Sequence, residues 1–208
     1  MLEAVDCPKS LKSLAERNAR LLRVEEPHVS ALTHYVREIR EATGLGEQNP
    51  FSDPLDGGVD ASCLYLLEAS GAHARSSGFI SRNNPDESAK NFFELNQEAG
   101  IPRAVTVIWN IVPWYIGPDE KIRPARHADL AAGLPHLQRV LELLPELRIV
   151  VFIGKKSTFA EKHIRAARPD PGTATTYSSC SCTAQACCNA IARICNSSAS
   201  AMKSCGPD

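Results

Sequence analysis

Cys63-Leu-Tyr-Leu-Leu67-Glu-Ala-Ser-Gly71 is the stretch on which the reading of this chain turns. Its first five residues form an apolar run too short for a core helix, and glycine and polar residues follow directly. Such a run reads as a strand buried on both faces, the kind found in parallel sheets. Two further runs have the same character, Val105 to Trp109 and Leu147 to Ile153. Between and after them lie stretches with helical spacing: Glu87 to Ala99, stopped by Gly100; Ala128 to Leu144, interrupted or bent at Pro135; and Ser157 to Arg168. Strand and helix alternate. The pattern predicts an α/β domain, three-layer α/β/α, with a central and mainly parallel sheet.

Upstream, Ser10 to Arg23 reads as a helix with Leu11, Leu14, Leu21 and Leu22 on its apolar side. Val29 to Thr43 reads as a second, with Leu32, Val36 and Ile39 on one face and Gly44 as its stop. Gly44 to Gly58, Glu68 to Pro85 and Asn110 to Arg126 read as loops. Three regions follow: residues 1–50, a helical segment packed on the core; 51–170, the α/β core; and 171–208, a Cys/Ser/Ala-rich tail expected to be poorly ordered.

The chain has 208 residues, 43% hydrophobic and 23% charged, with a formal net charge of −1. That balance excludes a strongly basic nucleic-acid coat and leaves room for a local basic groove. No apolar run is long enough to span a membrane. Met1 to Arg23 lacks the apolar centre of a signal peptide, so a cytoplasmic location is expected.

Open parallel sheets bind ligands at the carboxyl ends of their strands. Three places are singled out: Glu68 to Gly71, Asn110 to Trp114, and Gly154 onward. Gly71 either makes a simple turn or lets backbone approach a ligand closely. Phe79, in the polar stretch Ser77-Gly-Phe-Ile-Ser-Arg-Asn-Asn84, either plugs a minor core or stacks on a planar ligand. Arg82 is either solvated or a phosphate contact. Asn110, at the predicted end of the second strand, is either a cap or a reader of a nucleobase edge, since an amide offers one acceptor and two donors in one plane.

Together these segments resemble the uracil-DNA glycosylase superfamily, over a stretch from Asp53-Pro-Leu-Asp-Gly-Gly58 to Gly154 and the helix after it. Leu67-Glu-Ala-Ser-Gly71 is similar to a first family motif, Gly-Glu-Ala-Pro-Gly in one branch. The resemblance implies base excision repair of uracil-containing DNA. Phe79 would stack on the flipped uracil. Asn110 would accept from uracil N3–H and donate to O4, a pattern that cytosine inverts. Backbone N–H groups of Ala69, Ser70 and Gly71 would bind uracil oxygens, and Glu68 would position water. Leu67 and Ser70 depart from the motif, and Ala69 stands where another branch has a general-base Asp. Before Asp170 the chain carries only Cys7 and Cys63, so the resemblance is to a branch without an iron–sulfur cluster, and no cofactor or metal is expected.

A second family motif, His-Pro-Ser-Pro or similar, would follow a fourth strand, and nothing after Asp170 reads as either. Six of the eight cysteines lie in the last 29 residues, without the paired C-x-x-C spacing of a metal site. A change of reading frame would account for the abrupt shift in composition. Shifted by one base, the codons from Cys182 can spell His-x-Pro-Ser-Leu-Leu, close to the absent motif.

The expected partner is uracil-containing DNA, bound by a monomer. Arg82, Lys121, Arg123 and Lys155 are the candidate phosphate contacts. Two other readings share the pocket or the fold: a module that binds uracil or single-stranded DNA without cleavage, and an unrelated α/β protein that binds a nucleotide.

Overall fold

The computed structural model describes residues 4–118 and 121–168; the region 171–208, and with it the reading-frame argument, lies outside the described residues. The fold is mixed α/β with parallel strands, as the alternation predicts. Three strands make the main sheet: β2 (Cys63–Ser70), β4 (Thr106–Tyr115) and β5 (Ile149–Phe152). Their order is β4-β2-β5, so β2 is central and the chain crosses over it between β4 and β5. Cys63 pairs with both Thr106 and Ile149 in parallel register. Two short strands, β1 (Phe51–Ser52) and β3 (Phe79–Ile80), form a separate parallel pair within segments read as loops.

Helix α4 (Glu87–Glu98) covers the face of β2 that carries Tyr65 and Leu67. Tyr65 Oη donates to Asn96 Oδ1 at 2.6 Å, and its ring meets Phe92 edge-on at 4.6 Å. Asp86 starts this helix by accepting the Ala89 N–H at 2.8 Å, the side-chain cap that helix N-termini favour. Helix α5 (His127–Glu142) packs on the opposite face, where a Cβ on Gly133 would come 2.0 Å from the Ile111 carbonyl oxygen. It runs on through Pro135. The helix ahead of the core, α2 (Pro27–Thr43), has proline in its first turn and ends at Gly44 in the left-handed region. Leu32, Val36 and Ile39 on it join the same apolar core as the sheet.

Three sequence readings are corrected. Leu14 and Leu22 are exposed, at 68% and 87%; α1 (Leu14–Leu21) turns Ala19 and Arg20 inward instead, because Arg20 meets a buried carboxylate. The second strand does not stop at Trp109. It continues to Tyr115, so Asn110 lies inside β4 opposite Leu67. Asn110 and Pro113 read as breakers, but β4 lies at the edge of the sheet, where a proline is tolerated. The stretch 72–77, read as loop, is a short helix, α3 (Ala72–Ser77). The last helix, α6 (Glu161–Ala167), is preceded by a 3₁₀ turn over Ser157–Ala160.

Candidate functional site

A cavity of about 340 Å³ opens on the α4 face of the sheet, near the carboxyl ends of the strands. Side chains alternate along a strand, so Leu67 and Ala69 of β2 and Ile108 and Asn110 of β4 share that face and form its floor. Gly71 and His73 form one rim, and Ile153, just past β5, another. Ile80, Arg82, Asn84 and the α4 residues Ala89 and Phe92 close it from the other side. The volume is at the small end of ligand sites, and the walls are largely apolar, with Ser81, Asp86 and Ser88 adding polar groups to Asn110, Arg82, Asn84 and His73.

Asn110 is the polar centre, only 2% exposed. Its Nδ2 donates to Ser70 Oγ at 3.1 Å, and Ser70 Oγ donates to the Pro113 carbonyl at 3.1 Å. The sheet register makes this contact possible. Ala69 pairs with Val112 but Ser70 pairs with Tyr115, so Pro113 and Trp114 bulge out of β4. A bulge re-aims the residues beside it and frees a carbonyl from the ladder.

The other predicted site residues are placed as follows. Ala69, Gly71 and Arg82 reach the cavity wall with Asn110. Glu68 is out of step with Leu67 and Ala69 and is not on the wall; its carboxylate accepts the Ala125 N–H at 2.6 Å, ahead of α5. Phe79 is fully buried in the core, its ring 6.4 Å from that of Phe51, and is not on the wall either. Phe92 supplies the aromatic surface there. It escaped the sequence reading because helical spacing alone marks it as core. Its i−3 neighbour Ala89 on the same wall is the signal that the helix leaves room above the sheet.

Among the basic residues, Lys121 and Lys155 are exposed. Lys155 edges a separate shallow depression with His127, Lys156 and Phe159. Arg123 is engaged by Asp129 through both terminal nitrogens, at 2.6 and 2.8 Å. Arg82 is only 5% exposed, so it is no surface phosphate contact. Its Nη2 reaches Thr106 Oγ1 at 3.3 Å, and Asp56 lies 4.0 Å away.

Behind Arg82 sits a buried ionic cluster. Asp53 Oδ1 accepts from Arg20 Nε at 2.9 Å, and Asp53 Oδ2 from Arg103 Nη2 at 2.7 Å and from Ser81. Arg103 Nε also donates to Asp56 Oδ1 at 2.7 Å. Burial pushes both carboxyls up. For Asp53 the two guanidiniums, Ser81 and the Leu55 N–H outweigh it, and the carboxyl lies below its usual range. For Asp56 burial prevails over Arg103, with Asp53 adding to it, and the carboxyl is pushed up to about 6. Burial likewise lowers Arg82. The cluster ties α1, the segment after β1 and the segment before β4 to Ser81 and Arg82, which lie on the cavity wall.

Among the described residues no group of three or more His, Cys, Asp or Glu side chains could hold a metal ion. No described helix is long and apolar enough to cross a membrane. No protein-family model matches the chain, and no curated protein sequence matches it.

Proposed function

We propose that this protein is a uracil-DNA glycosylase-like enzyme that takes uracil out of the DNA stack and hydrolyses its N-glycosidic bond. The observation that carries the reading is Asn110, an amide buried at the floor of a small apolar cavity at the carboxyl ends of parallel strands. An amide so placed can read a donor–acceptor edge that uracil presents and cytosine inverts. Extrusion of the nucleotide is required because the cavity admits a base and not a duplex. The C1′–N1 bond would break with its electron pair leaving on uracil. Water would then bond to C1′, and its released proton would end on uracil N1. Exposed Lys121 and Lys155 would meet phosphates with salt-sensitive affinity.

A pocket that binds uracil without cleaving it is favoured by one observation. Glu68, the carboxylate of the first motif, is held by the Ala125 N–H away from the cavity wall.

Incubation with uracil-containing oligonucleotides, single-stranded and as a G·U duplex, followed by alkaline cleavage of abasic sites, tests the proposal. Cleavage that falls about 10²–10³-fold in Asn110→Ala is the expected result, the usual loss on removing one such polar group. Uracil binding without cleavage would favour the non-catalytic pocket. Neither binding nor cleavage would overturn both readings.

A further inference from the structure

The geometry points to Ser70 as the residue that sets which base Asn110 can read. The inference rests on the uracil reading of the cavity and adds a specificity-determining residue to it. A serine hydroxyl has one proton. Here that proton goes to the Pro113 carbonyl, which can only accept. Toward Asn110, therefore, Ser70 Oγ must accept, and of the two ends of the amide only Nδ2 can donate to it. The amide is locked with its nitrogen toward Ser70.

The lock decides the recognition pattern. One Nδ2 proton is held by Ser70. The other remains for a ligand beside Oδ1, which accepts from no described group. A donor and an acceptor in this fixed order suit uracil N3–H and O4. Turned over, the same amide would suit cytosine. Turning it over in this protein would set Oδ1 against Ser70 Oγ, and Ser70 would have to abandon Pro113 to serve it. Both Ser70 and Asn110 are almost wholly buried, at 1% and 2%, so water does not replace the lost bond. The anchor is itself a product of the bulge, since Pro113 lies in the stretch of β4 that the register shift takes out of the ladder.

The Ser70 side chain touches no part of the base in this scheme, so it positions Asn110. Its signature is a change in preference. Dissociation constants for free uracil and free cytosine are measured on the full chain and on Ser70→Ala and Ser70→Thr, with thermal melts to establish folding. The wild type should prefer uracil. Ser70→Ala should lose that preference by about tenfold, the equivalent of one buried hydrogen bond, with cytosine binding gained. Ser70→Thr, which keeps the hydroxyl, should restore it. Should Ser70→Ala fail to fold, Ser70→Cys replaces it, because a thiol is a weak acceptor and donor. An unchanged preference in the folded variant overturns the role of Ser70 and leaves the uracil pocket standing. A wild type that binds neither base, or both alike, overturns the uracil reading and this inference together.

Discussion

Arg20 Nε and Asp53 Oδ1 meet at 2.9 Å with neither side chain exposed to solvent. A charge pair so deep is stable only while both members are present. Arg20→Ala should leave Asp53 with Arg103 but open a void beside it, and Asp53→Ala should take from Arg20 its buried carboxylate partner and leave Arg103 with Asp56 alone of the two. The expected cost of either is about 3–5 kcal/mol, larger for Asp53→Ala. Urea denaturation followed by circular dichroism measures it, and a loss below about 1 kcal/mol would show that water reaches the cluster.

Asp56 gives the fold a distinct response to pH. Its carboxyl is pushed up to about 6 in the folded protein, against about 4 in an unfolded chain. Between those values the folded state binds the extra proton, so this group's contribution is complete below pH 4 and is lost as pH rises through 6. Asp53 acts in the opposite sense: its lowered carboxyl stabilises the fold above pH 4, and that contribution falls away in acid. Asp56→Asn should therefore flatten the decline in stability from pH 4 to 6 and leave the acid limb unchanged. Melting temperatures across that range decide it.

Phe79 and Phe92 should separate stability from binding. Phe79 lies in the core, and Phe79→Ala should cost about 3–5 kcal/mol of stability. Phe92 lies on the cavity wall, and Phe92→Ala should weaken uracil binding by about 1–3 kcal/mol, the range for one base–aromatic stack. Titration calorimetry and thermal melts on the two variants give both numbers. Equal loss of affinity in both variants would mean that the ring at position 79 acts on the ligand after all.

Gly133 is where α5 touches the sheet. A methyl group there would sit 2.0 Å from the Ile111 carbonyl oxygen, which is backbone and cannot swing aside. Gly133→Ala improves helix propensity yet should destabilise by at least about 1–3 kcal/mol through overpacking. Because Ile111 adjoins Asn110, uracil affinity should fall as well. A more stable variant would show that α5 has room to shift.

Much of this architecture is legible in the residues. Cys63–Leu66 and Ile149–Phe152 declare themselves as strands because they are buried on both faces and need no alternation. The strand-end rule marks Ala69, Gly71 and Asn110, and these three meet on the wall of one cavity, together with Arg82 from the polar stretch after Ser77. What single residues do there depends on parity and register, which composition does not carry. Glu68 differs from its neighbours only in being one step out of phase. Ser70 gains its contact from a register shift two residues long in the partner strand. Leu14 and Leu22 look like a buried face until the far carboxylate that draws Arg20 inward is known.

The placing of β2 at the centre of the sheet also sets a timetable. Its two partners are β4 and β5, both later in the chain, and Cys63 must wait for Thr106 and then for Ile149. At a synthesis rate of about 5–20 residues per second, an apolar strand that will end with almost no exposed surface spends seconds outside the ribosome without its neighbours. Pairings this distant in sequence close slowly even in a free chain. Newly made molecules thus pass through a stage in which the future floor of the cavity is a sticky ribbon, and chaperone capture during translation should fall on that ribbon first.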